Sequence, residues 1–547
     1  MIEEIPALLF DTRSIQRFIY TGNKLRTNIG ASYLVTHVFD QQLVPVLMAE
    51  GFTVDADSWK KRLPLEKLSL PQQAIFASNG GGSALVLFST GTSQDTLLSI
   101  VQHFSRQLLV LIPGLHIGAA FGILDPSRFQ ESLSQLYDKL KTTQNRVFPV
   151  VNIPYTGLTL RCPVNGETAN RYEEKSPLSG NQHFFSQETY TKLQASKMAM
   201  KELENRLSQD KMESICSRYR FPLELSELGM VQNEKNYFAI VHIDGNNMGL
   251  KFQSCQTPEE RSQLSEEVAQ KTWDSFVRLL ESIEDEYGEY LKSPDIPAGK
   301  TPGAIENTRP YLPIRPLILG GDDITFVCAS SMALAYVRRF MDYLMDPHIG
   351  GARLKAAKSI DSCAGIAILK TTYPFFRGYE LAEQLCDAAK QKMRATGPSC
   401  WLDFAILHGE QAPTLEEIRT QEYTGVTGRE GGLHFGPYQV GNQENNQKDS
   451  AHYHDLENLL LAVQGFQKGC MSSSNAKKLR FALQHGKAAI RQFRAQLEHI
   501  GQHLPLVPDW KNCLEEGNDL FLQGRTPYVD AIELLDFLPK GGDSNED

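Results

Sequence analysis

Short apolar runs of strand type alternate along this chain with longer segments whose apolar residues recur at helical spacing. Residues 237–249 (YFAIVHIDGNNMG) form an apolar run that ends in Asp244 and a turn containing glycine. Residues 317–328 (LILGGDDITFVC) place apolar residues on both sides of a Gly-Gly-Asp-Asp turn. Glycine accepts the positive φ values that tight hairpin turns require. The pattern therefore predicts a strand ending at Asp244 and a hairpin whose tip carries Asp322 and Asp323.

The same pattern occurs a second time near the N-terminus. Residues 7–20 (ALLFDTRSIQRFIY) match residues 238–252, and Asp11 falls near the place of Asp244. Further matches link 74–89 to the hairpin and the strand and amphipathic helix of 116–141 to 362–392. The order of these matches predicts two similar α+β units with a nucleotide site between them, of which only the second has an acidic hairpin. A first unit that has drifted to a purely structural role is the alternative.

Carboxylates at the ends of adjacent strands are candidate metal ligands. Asp244, Asp322 and Asp323 would converge if their strands are neighbours, and carboxylate oxygens suit Mg²⁺ or Mn²⁺. Enzymes that catalyse in-line attack on a phosphate commonly use two such ions. An ordinary surface turn is the alternative, since Gly and Asp are common turn residues.

Residues around these carboxylates are candidates for binding the nucleotide. In the acidic unit they are Gly245 and Asn247 after the strand, Gly320 and Gly321 of the turn, and the cations Lys370 and Lys390 near the last strand and helix. In the other unit they are Gly81, Gly82 and Ser83, which stand where acidic residues would be expected. Solvation of the lysines and stabilisation of the turns are the alternatives.

Composition is typical of a large soluble protein. The chain has 547 residues, 22% charged and 41% hydrophobic, with a net charge of -10, which predicts several domains and argues weakly against a surface devoted to nucleic acid. Its nine cysteines include no C-x-x-C pair, which favours a reducing compartment. No signal peptide or long apolar span is evident, so we expect a cytoplasmic protein without membrane attachment.

With these motifs in view, the chain resembles the large polymerase/cyclase subunit of type III CRISPR effector complexes over about residues 5–440. Besides Gly-Gly-Asp-Asp, residues 10–35 (FDTRSIQRFIYTGNKLRTNIGASYLV) are similar to the family's opening. Residues 363–375 (CAGIAILKTTYPF) and the Ala-Ala-Lys ending at Lys390 are similar to its last palm strand and helix. Residues 401–423 are similar to the family's segment downstream of that helix.

The resemblance implies an α+β fold with two ferredoxin-like palm domains. On this basis 1–150 is a first palm with a Gly-Gly-Gly-Ser hairpin, and 151–235 is a helical connector with a zinc-ribbon remnant. The catalytic second palm would be 236–420, with a proline-rich loop over 293–315 ahead of its hairpin. Residues 421–547 would be a link rich in Gly, Gln and Asn over 421–450, followed by a helical domain. The implied activity is joining ATP into cyclic oligoadenylates with Mg²⁺ or Mn²⁺, in a complex with guide or target RNA and other effector subunits. A homodimer is a further possibility.

Several residues depart from the family pattern. The chain begins directly in the first palm, so we expect no histidine-aspartate nuclease domain; His454-Asp455 we interpret as a helix start. Cys162 has Asn165 in the second ligand's place and residues 176–180 contain no cysteine, so we expect no zinc. Asn246 stands where relatives often have a second acidic residue.

Two further hypotheses stay open at this point. One is a non-catalytic scaffold that binds RNA and partner subunits, which Asn246 and the lost zinc cysteines favour. The other is a GTP-using cyclase of the GGDEF kind. In the C-terminal segment, the basic residues Lys477, Lys478, Arg480, Lys487, Arg491 and Arg494 predict either a docking face or a solvated helical surface.

Overall fold

The structure is a computed structural model, and it describes most of the chain. The described residues are 4–60, 63–144, 155–174, 178, 182–210, 212–228, 236–292, 309–351, 354–409, 413–425, 432–441, 452–514 and 520–539. Within them, no helix is both long enough and apolar enough to cross a membrane.

The first α+β unit is built on a five-stranded sheet of order β2-β3-β4-β1-β5. Apolar side chains of the sheet pack against helices on both faces, which gives the unit two separate apolar clusters. Its elements are β1 (Ile5–Arg13), α1 (Ile15–Tyr20), α2 (Leu25–Val38), α3 (Val44–Ala49), β2 (Thr53–Asp55), β3 (Gln73–Gly80), β4 (Ser83–Phe88), α4 (Gln94–Leu111), β5 (His116–Leu124) and α5 (Phe129–Gln144).

A connector follows, with β6 (Arg171–Tyr172), β7 (Phe184–Phe185), α6 (Gln187–Gln209) and α7 (Glu213–Arg218). In this connector the Cys162 thiol donates to Thr189 Oγ1 at 3.4 Å. Ser186 Oγ donates to Asn165 Oδ1 at 3.1 Å. Hydroxyl and amide groups thus form the hydrogen bonds around Cys162 and Asn165, where the resemblance led us to expect a zinc-ribbon remnant.

The second α+β unit has a six-stranded sheet of order β13-β12-β11-β8-β10-β9. Its central strand β8 is almost wholly buried, as expected for a strand covered on both faces. The elements are β8 (Tyr237–Gly245), α8 (Met248–Ser254), α9 (Pro258–Lys292), β9 (Ile314–Gly320), β10 (Asp323–Ala329), α10 (Ala333–Met345), β11 (Ser362–Lys370), α11 (Phe375–Thr396), β12 (Cys400–Ile406), α12 (Leu415–Glu422) and β13 (Tyr438–Val440).

Four strands of each sheet are arranged in the same order, which confirms the internal repeat. The order β3-β4-β1-β5 in the first unit corresponds to β9-β10-β8-β11 in the second, with antiparallel pairing at the central strand in both. Each hairpin also has a register shift three residues before its glycine turn, in β3 after Phe76 and in β9 after Pro316. A bulge at the same place bends both hairpins alike.

Contacts between the units are reciprocal. Tyr20 of α1 stacks on Tyr379 of α11 with ring centroids 4.3 Å apart. In the opposite direction, Gln130 of α5 donates to the carbonyl of Cys255, directly after α8. Since α1 corresponds to α8 and α5 to α11, the units are related by an approximate twofold axis, as in a dimer within one chain.

The C-terminal helices are α13 (Leu456–Gln467), α14 (Ser473–His485), α15 (Lys487–His499) and α16 (Tyr528–Leu534). A buried ionic network attaches α16 to the second sheet: His434 lies 3.0 Å from Asp403 on β12 and 3.1 Å from Asp530 on α16. These two carboxylates raise the pKa of the His434 imidazole to about 10 despite its burial.

The interpretation of 421–450 as a link between domains is wrong in part. β13 lies in that range and pairs with β12 as the edge of the second sheet, so the second unit extends past residue 420. Its position depends on long-range pairing, which the local Gly-, Gln- and Asn-rich composition did not indicate. Residues 426–431 and 442–451 of this range, and 293–308 of the proline-rich loop before the hairpin, lie outside the described residues.

Candidate active site at the acidic hairpin

Strand pairing brings the three predicted metal ligands to one edge of the second sheet. Asp244 at the end of β8 lies directly opposite Asp323 at the start of β10. The Gly245 amide donates to the Asp322 carbonyl at 3.2 Å, which holds the turn against the end of β8. A Cβ atom on Gly245 would lie 3.0 Å from Asp322 Cβ, so a glycine is needed for this approach.

The hairpin turn itself explains the glycine pair. Gly320 pairs with Asp323, which leaves Gly321 and Asp322 as the two turn residues. Gly321 has φ 73°, and a positive φ at only the first turn residue is typical of type II′ turns. This geometry places Asp322 and Asp323 side by side at the tip.

Burial and mutual repulsion raise the pKa values of the hairpin carboxylates. Burial first, and then the charge of Asp244, raise the pKa of Asp322 to about 6 and that of Asp323 to about 7. The nearby His242 does not compensate, because burial lowers its pKa to about 4 and leaves the imidazole neutral. The site therefore carries an excess of negative charge that a cation would relieve.

One cation already lies in the site. The Lys390 ammonium donates to Asp244 Oδ2, and both side chains are largely buried, 18% and 27% exposed. Among the described residues, no three His, Cys, Asp or Glu side chains are arranged to hold a metal ion. The Asp244 carboxylate is turned to Lys390.

The donor set nevertheless fits a divalent cation. Asp323 Oδ1 is buried and has no hydrogen-bond partner. The neutral His242 imidazole lies 3.5 Å from it, and the Asp323 side chain as a whole is 45% exposed. An unpaired buried carboxylate oxygen is costly unless something positive binds it. The site contains three acidic side chains and one lysine, so the lysine alone does not balance the negative charge.

The expected role of Lys370 at this site is wrong. Lys370 pairs with Tyr237 at the start of β8, whereas Ser362 at the other end of β11 pairs with Gly245. Lys370 thus lies at the opposite end of the sheet from the hairpin, about 25 Å away at the usual rise per strand residue. Lys370 is close in sequence to the helix that bears Lys390, and that closeness gave no indication of the separation. Because β11 runs antiparallel to β8, the end of β11 that carries Lys370 lies away from the hairpin.

Asn246 and Asn247 come directly after Asp244 and its glycine, with different environments. Asn246 is buried, and its Nδ2 donates to the Ser399 carbonyl at 3.1 Å, so its side chain braces β12. Asn247 is exposed and left-handed, with φ 58°. Ser14, three residues after Asp11, is left-handed as well, with φ 50°, so both units make the same turn.

In the first unit, the equivalent positions have neutral partners. Asp11 lies opposite Ser83, and Gln144 Nε2 donates to Asp11 Oδ2 at 2.7 Å, where Lys390 contacts Asp244 in the second unit. Gly81 and Gly82 have φ 59° and 76°, as in type I′ turns. A Cβ on Gly82 would lie 2.2 Å from Thr12 Oγ1, so a larger residue at position 82 would clash with the end of β1.

Three polar residues of α9, which no sequence motif indicated, bind the hairpin turn and a neighbouring segment. Thr272 Oγ1 donates to the Gly321 carbonyl of the hairpin turn. Lys271 is fully buried and donates to the carbonyls of Asp346 and Ile349. Glu267 accepts the backbone amides of residues 355–357.

The segment that Glu267 and Lys271 hold runs from 346 to 361 and ends beside the metal-ligand candidates, where the Asp361 carbonyl accepts the Asn246 amide. In the first unit the same connection, from α4 to β5, spans only residues 112–115. The spacing of Glu267 and Lys271, one helical turn apart, is the only sequence signal, and it is equally typical of a surface ion pair.

Comparison with known proteins agrees with this architecture. The family described as Cas10/Cmr2, second palm domain, matches residues 237–396. No curated protein matches the chain.

Solved structures share the fold over nearly the whole chain. A Csm1-Csm4 cassette in complex with AMPPNP has a TM-score of 0.51 at 13% identity, covering 98% of this chain and 70% of that one. The cassette in complex with cA4 has a TM-score of 0.51 at 14% identity, with coverage of 97% and 70%. Residues 237–396 thus match a Cas10/Cmr2 second palm domain, and the chain shares an α+β, double-palm fold with these solved structures.

Proposed function

We propose that this chain is a metal-dependent nucleotidyltransferase that joins ATP into cyclic or linear oligoadenylates in a type III CRISPR-type defence system. The observation that carries the proposal is the meeting of Asp244, Asp322 and Asp323 at one sheet edge with a buried, unpaired carboxylate oxygen. Similar structures were solved with AMPPNP and with cA4, which supports a nucleotide as ligand. The Csm4 subunit in those structures supports other effector subunits as partners, and guide or target RNA is part of the proposal.

In this proposal the side chains divide the work between metal binding and phosphate binding. Asp244, Asp322 and Asp323 would hold Mg²⁺ or Mn²⁺, which would supply acidification of the attacking 3′-hydroxyl and charge neutralisation at the leaving pyrophosphate. Lys390, which donates to Asp244 in this structure, would be available to a phosphate oxygen if that contact is released. Thr272, Lys271 and Glu267 keep the turn and its neighbouring segment in place.

In the first palm, the tip formed by Gly81, Gly82 and Ser83 is proposed to bind the second nucleotide without a metal. The carboxylate opposite Ser83, Asp11, accepts a hydrogen bond from the Gln144 amide. Gly81 has open space around its Cβ position, where the backbone is accessible to a ligand. Gly245, Asn247, Gly320 and Gly321 form the corresponding backbone around the acidic tip.

A test is incubation of the full chain with each α-labelled NTP in Mg²⁺ or Mn²⁺, with and without RNA. The matched control is the Asp322→Ala/Asp323→Ala variant. An adenylate oligomer or ring that is absent in the variant supports the proposal, and a guanylate product favours the GTP-using alternative.

The second candidate is a non-catalytic scaffold, which the engagement of Asp244 by Lys390 favours. Its signature would be nucleotide binding, seen as a rise in melting temperature, without consumption of any NTP. The variant would then assemble with its partners as well as the wild type does.

A further inference from the structure

A buried histidine and threonine lie directly behind the acidic hairpin. His242 is on β8, two residues before Asp244. It pairs on β10 with Thr325, which follows Asp323 by two residues. Side chains two residues apart on a strand point to the same face of the sheet. His242 and Thr325 therefore share a face with both carboxylates, and only 6% and 0% of their surface is exposed.

Three contacts define the orientation of the His242 imidazole. Its Nδ1 atom lies 3.4 Å from Thr325 Oγ1 and 3.5 Å from Asp323 Oδ1. The ring also packs against Tyr379 of α11, with centroids 5.6 Å apart and planes at 72°. Tyr379 in turn stacks on Tyr20 of the first palm, so both palms contribute to the position of the imidazole.

The first palm has leucines in place of this polar pair. Leu9 on β1 and Leu85 on β4 pair with each other and correspond to His242 and Thr325. Both leucines are buried in an apolar cluster that includes residues of α5. Burying polar groups in place of leucines costs free energy unless they are hydrogen-bonded. The polar pair occurs behind the hairpin with the carboxylates and not behind the other, which points to a use at the acidic site.

The contact with Asp323 requires a proton on Nδ1 of His242. An ionised carboxylate only accepts hydrogen bonds, so the nitrogen that pairs with it must be an N–H donor. At 3.5 Å the contact is longer than a hydrogen bond, and a small rotation of the carboxylate would complete it. Carboxylates that bind metals are themselves oriented by such hydrogen bonds.

We propose that His242 is a positioning residue for metal binding, whose Nδ1–H donates to Asp323 and holds that carboxylate toward the cation. Thr325 and Tyr379 keep the ring in the orientation that this bond needs. The inference rests on the metal site of the proposed function, but it requires only metal binding and not turnover. A purely structural role would require only that the ring fill the space between β10 and α11.

The test is Mn²⁺ binding to the full chain without nucleotide, measured by electron paramagnetic resonance for the wild type and two variants. His242→Leu installs the residue of the first palm and should weaken Mn²⁺ binding about tenfold, the lower end of the range for loss of a group that supports a ligand. His242→Asn keeps an N–H donor near the position of Nδ1, so its Mn²⁺ affinity should stay within about threefold of the wild type.

Melting temperature separates this role from packing. Leucine suits an apolar space, whereas the asparagine amide would be buried with incomplete hydrogen bonding, so His242→Asn should melt below His242→Leu. The Mn²⁺ affinities should have the opposite order. If affinity follows melting temperature instead, His242 acts only through packing and the proposal is overturned.

The control is His408→Leu, the same substitution at the other end of β8, where His408 Nδ1 lies 3.0 Å from the Tyr237 hydroxyl. Its Mn²⁺ affinity should equal that of the wild type, and a loss as large as in His242→Leu would overturn the proposal. Equal affinity in the wild type and His242→Leu would overturn this inference alone. Absence of Mn²⁺ binding by the wild type would overturn the metal site of the proposed function, and this inference with it.

Discussion

The two hairpins of this molecule share their strand pairing and the position of a bulge, but they differ in the turn at the tip and in the charge of the residues around it. Asp11 faces Ser83 and receives the Gln144 amide, whereas Asp244 faces Asp323 and receives the Lys390 ammonium. Both central strands end in the same left-handed turn, at Ser14 and Asn247. The fold is therefore a scaffold for either a neutral or an ionic site, and a few residues at its edge decide which.

A second difference lies behind the hairpins. The acidic palm has a long segment between α10 and β11 that Glu267 and Lys271 anchor, while the other palm makes the connection with residues 112–115. Ionic sites need rigid support because repelling carboxylates would otherwise separate. The extra segment is present only in the unit with the acidic hairpin, where it supplies that support.

The largest effect that would test this comparison is removal of the central carboxylate in each palm. Asp244→Asn should lower the rate of nucleotide transfer by about 10²–10³-fold, the range for loss of one preorganised charged group. Asp11→Asn should change it by less than about threefold, because Asp11 has a neutral partner and no acidic neighbour on the hairpin tip. Product formation with saturating ATP and Mn²⁺ measures both.

Equal losses from Asp244→Asn and Asp11→Asn would contradict the assignment of metals to the second palm alone. Melting temperatures of both variants serve as the control for folding.

Next in size is the support from α9. Lys271→Met should lower kcat by about 10–100-fold, as is usual when a group supporting a metal site is lost, with a smaller change in KM. Two buried carbonyls would lose their donor, so the melting temperature should fall too. Lys197→Met on α6, whose lysine is 58% exposed, is the matched control. A lower melting temperature with unchanged kcat would limit Lys271 to a structural role.

The third prediction exchanges the partners of the two central aspartates. Lys390→Gln should lower kcat about tenfold, because a charge-assisted hydrogen bond to phosphate of about 1.5 kcal/mol is lost. The same variant should bind Mn²⁺ more tightly, since Asp244 no longer has an internal cation. Gln144→Lys should affect neither quantity.

Opposite signs for rate and metal affinity in Lys390→Gln would be hard to explain by misfolding. If Mn²⁺ affinity fell instead, Lys390 would be a support for Asp244 and not its competitor.

The smallest effect concerns pH. The pKa values of Asp322 and Asp323 in the folded chain, about 6 and about 7, exceed their ordinary values, so the metal-free fold binds protons more tightly than the unfolded chain. Its free energy of unfolding should therefore fall as pH rises from about 4 to 7 on account of these groups. Mn²⁺ affinity should rise over pH 6 to 8 as the protons leave.

Melting temperature in EDTA and in Mn²⁺ across this pH range measures both trends. Asp322→Asn/Asp323→Asn removes the two groups and should flatten the part of the EDTA profile they cause. A variant with the wild-type profile would show that other groups determine it.

The amino-acid sequence by itself determined the two palm repeats, the acidic hairpin and the left-handed character of its turns. These features depend on local rules: alternation in strands, glycine at positive φ, and the order of elements along the chain. The double-palm fold was implied by the resemblance of these motifs to the large subunit of type III CRISPR effector complexes.

Only the tertiary structure decided which side chains share a site. It separated Lys370 from Lys390 through the antiparallel direction of β11, and it added β13 to the second sheet. It also directed Arg480, one of the basic residues of the C-terminal segment, to Glu533. It also brought Gln144 to Asp11 across 133 residues of sequence. Such contacts depend on packing between distant segments, for which the local pattern of polar and apolar residues contains no signal.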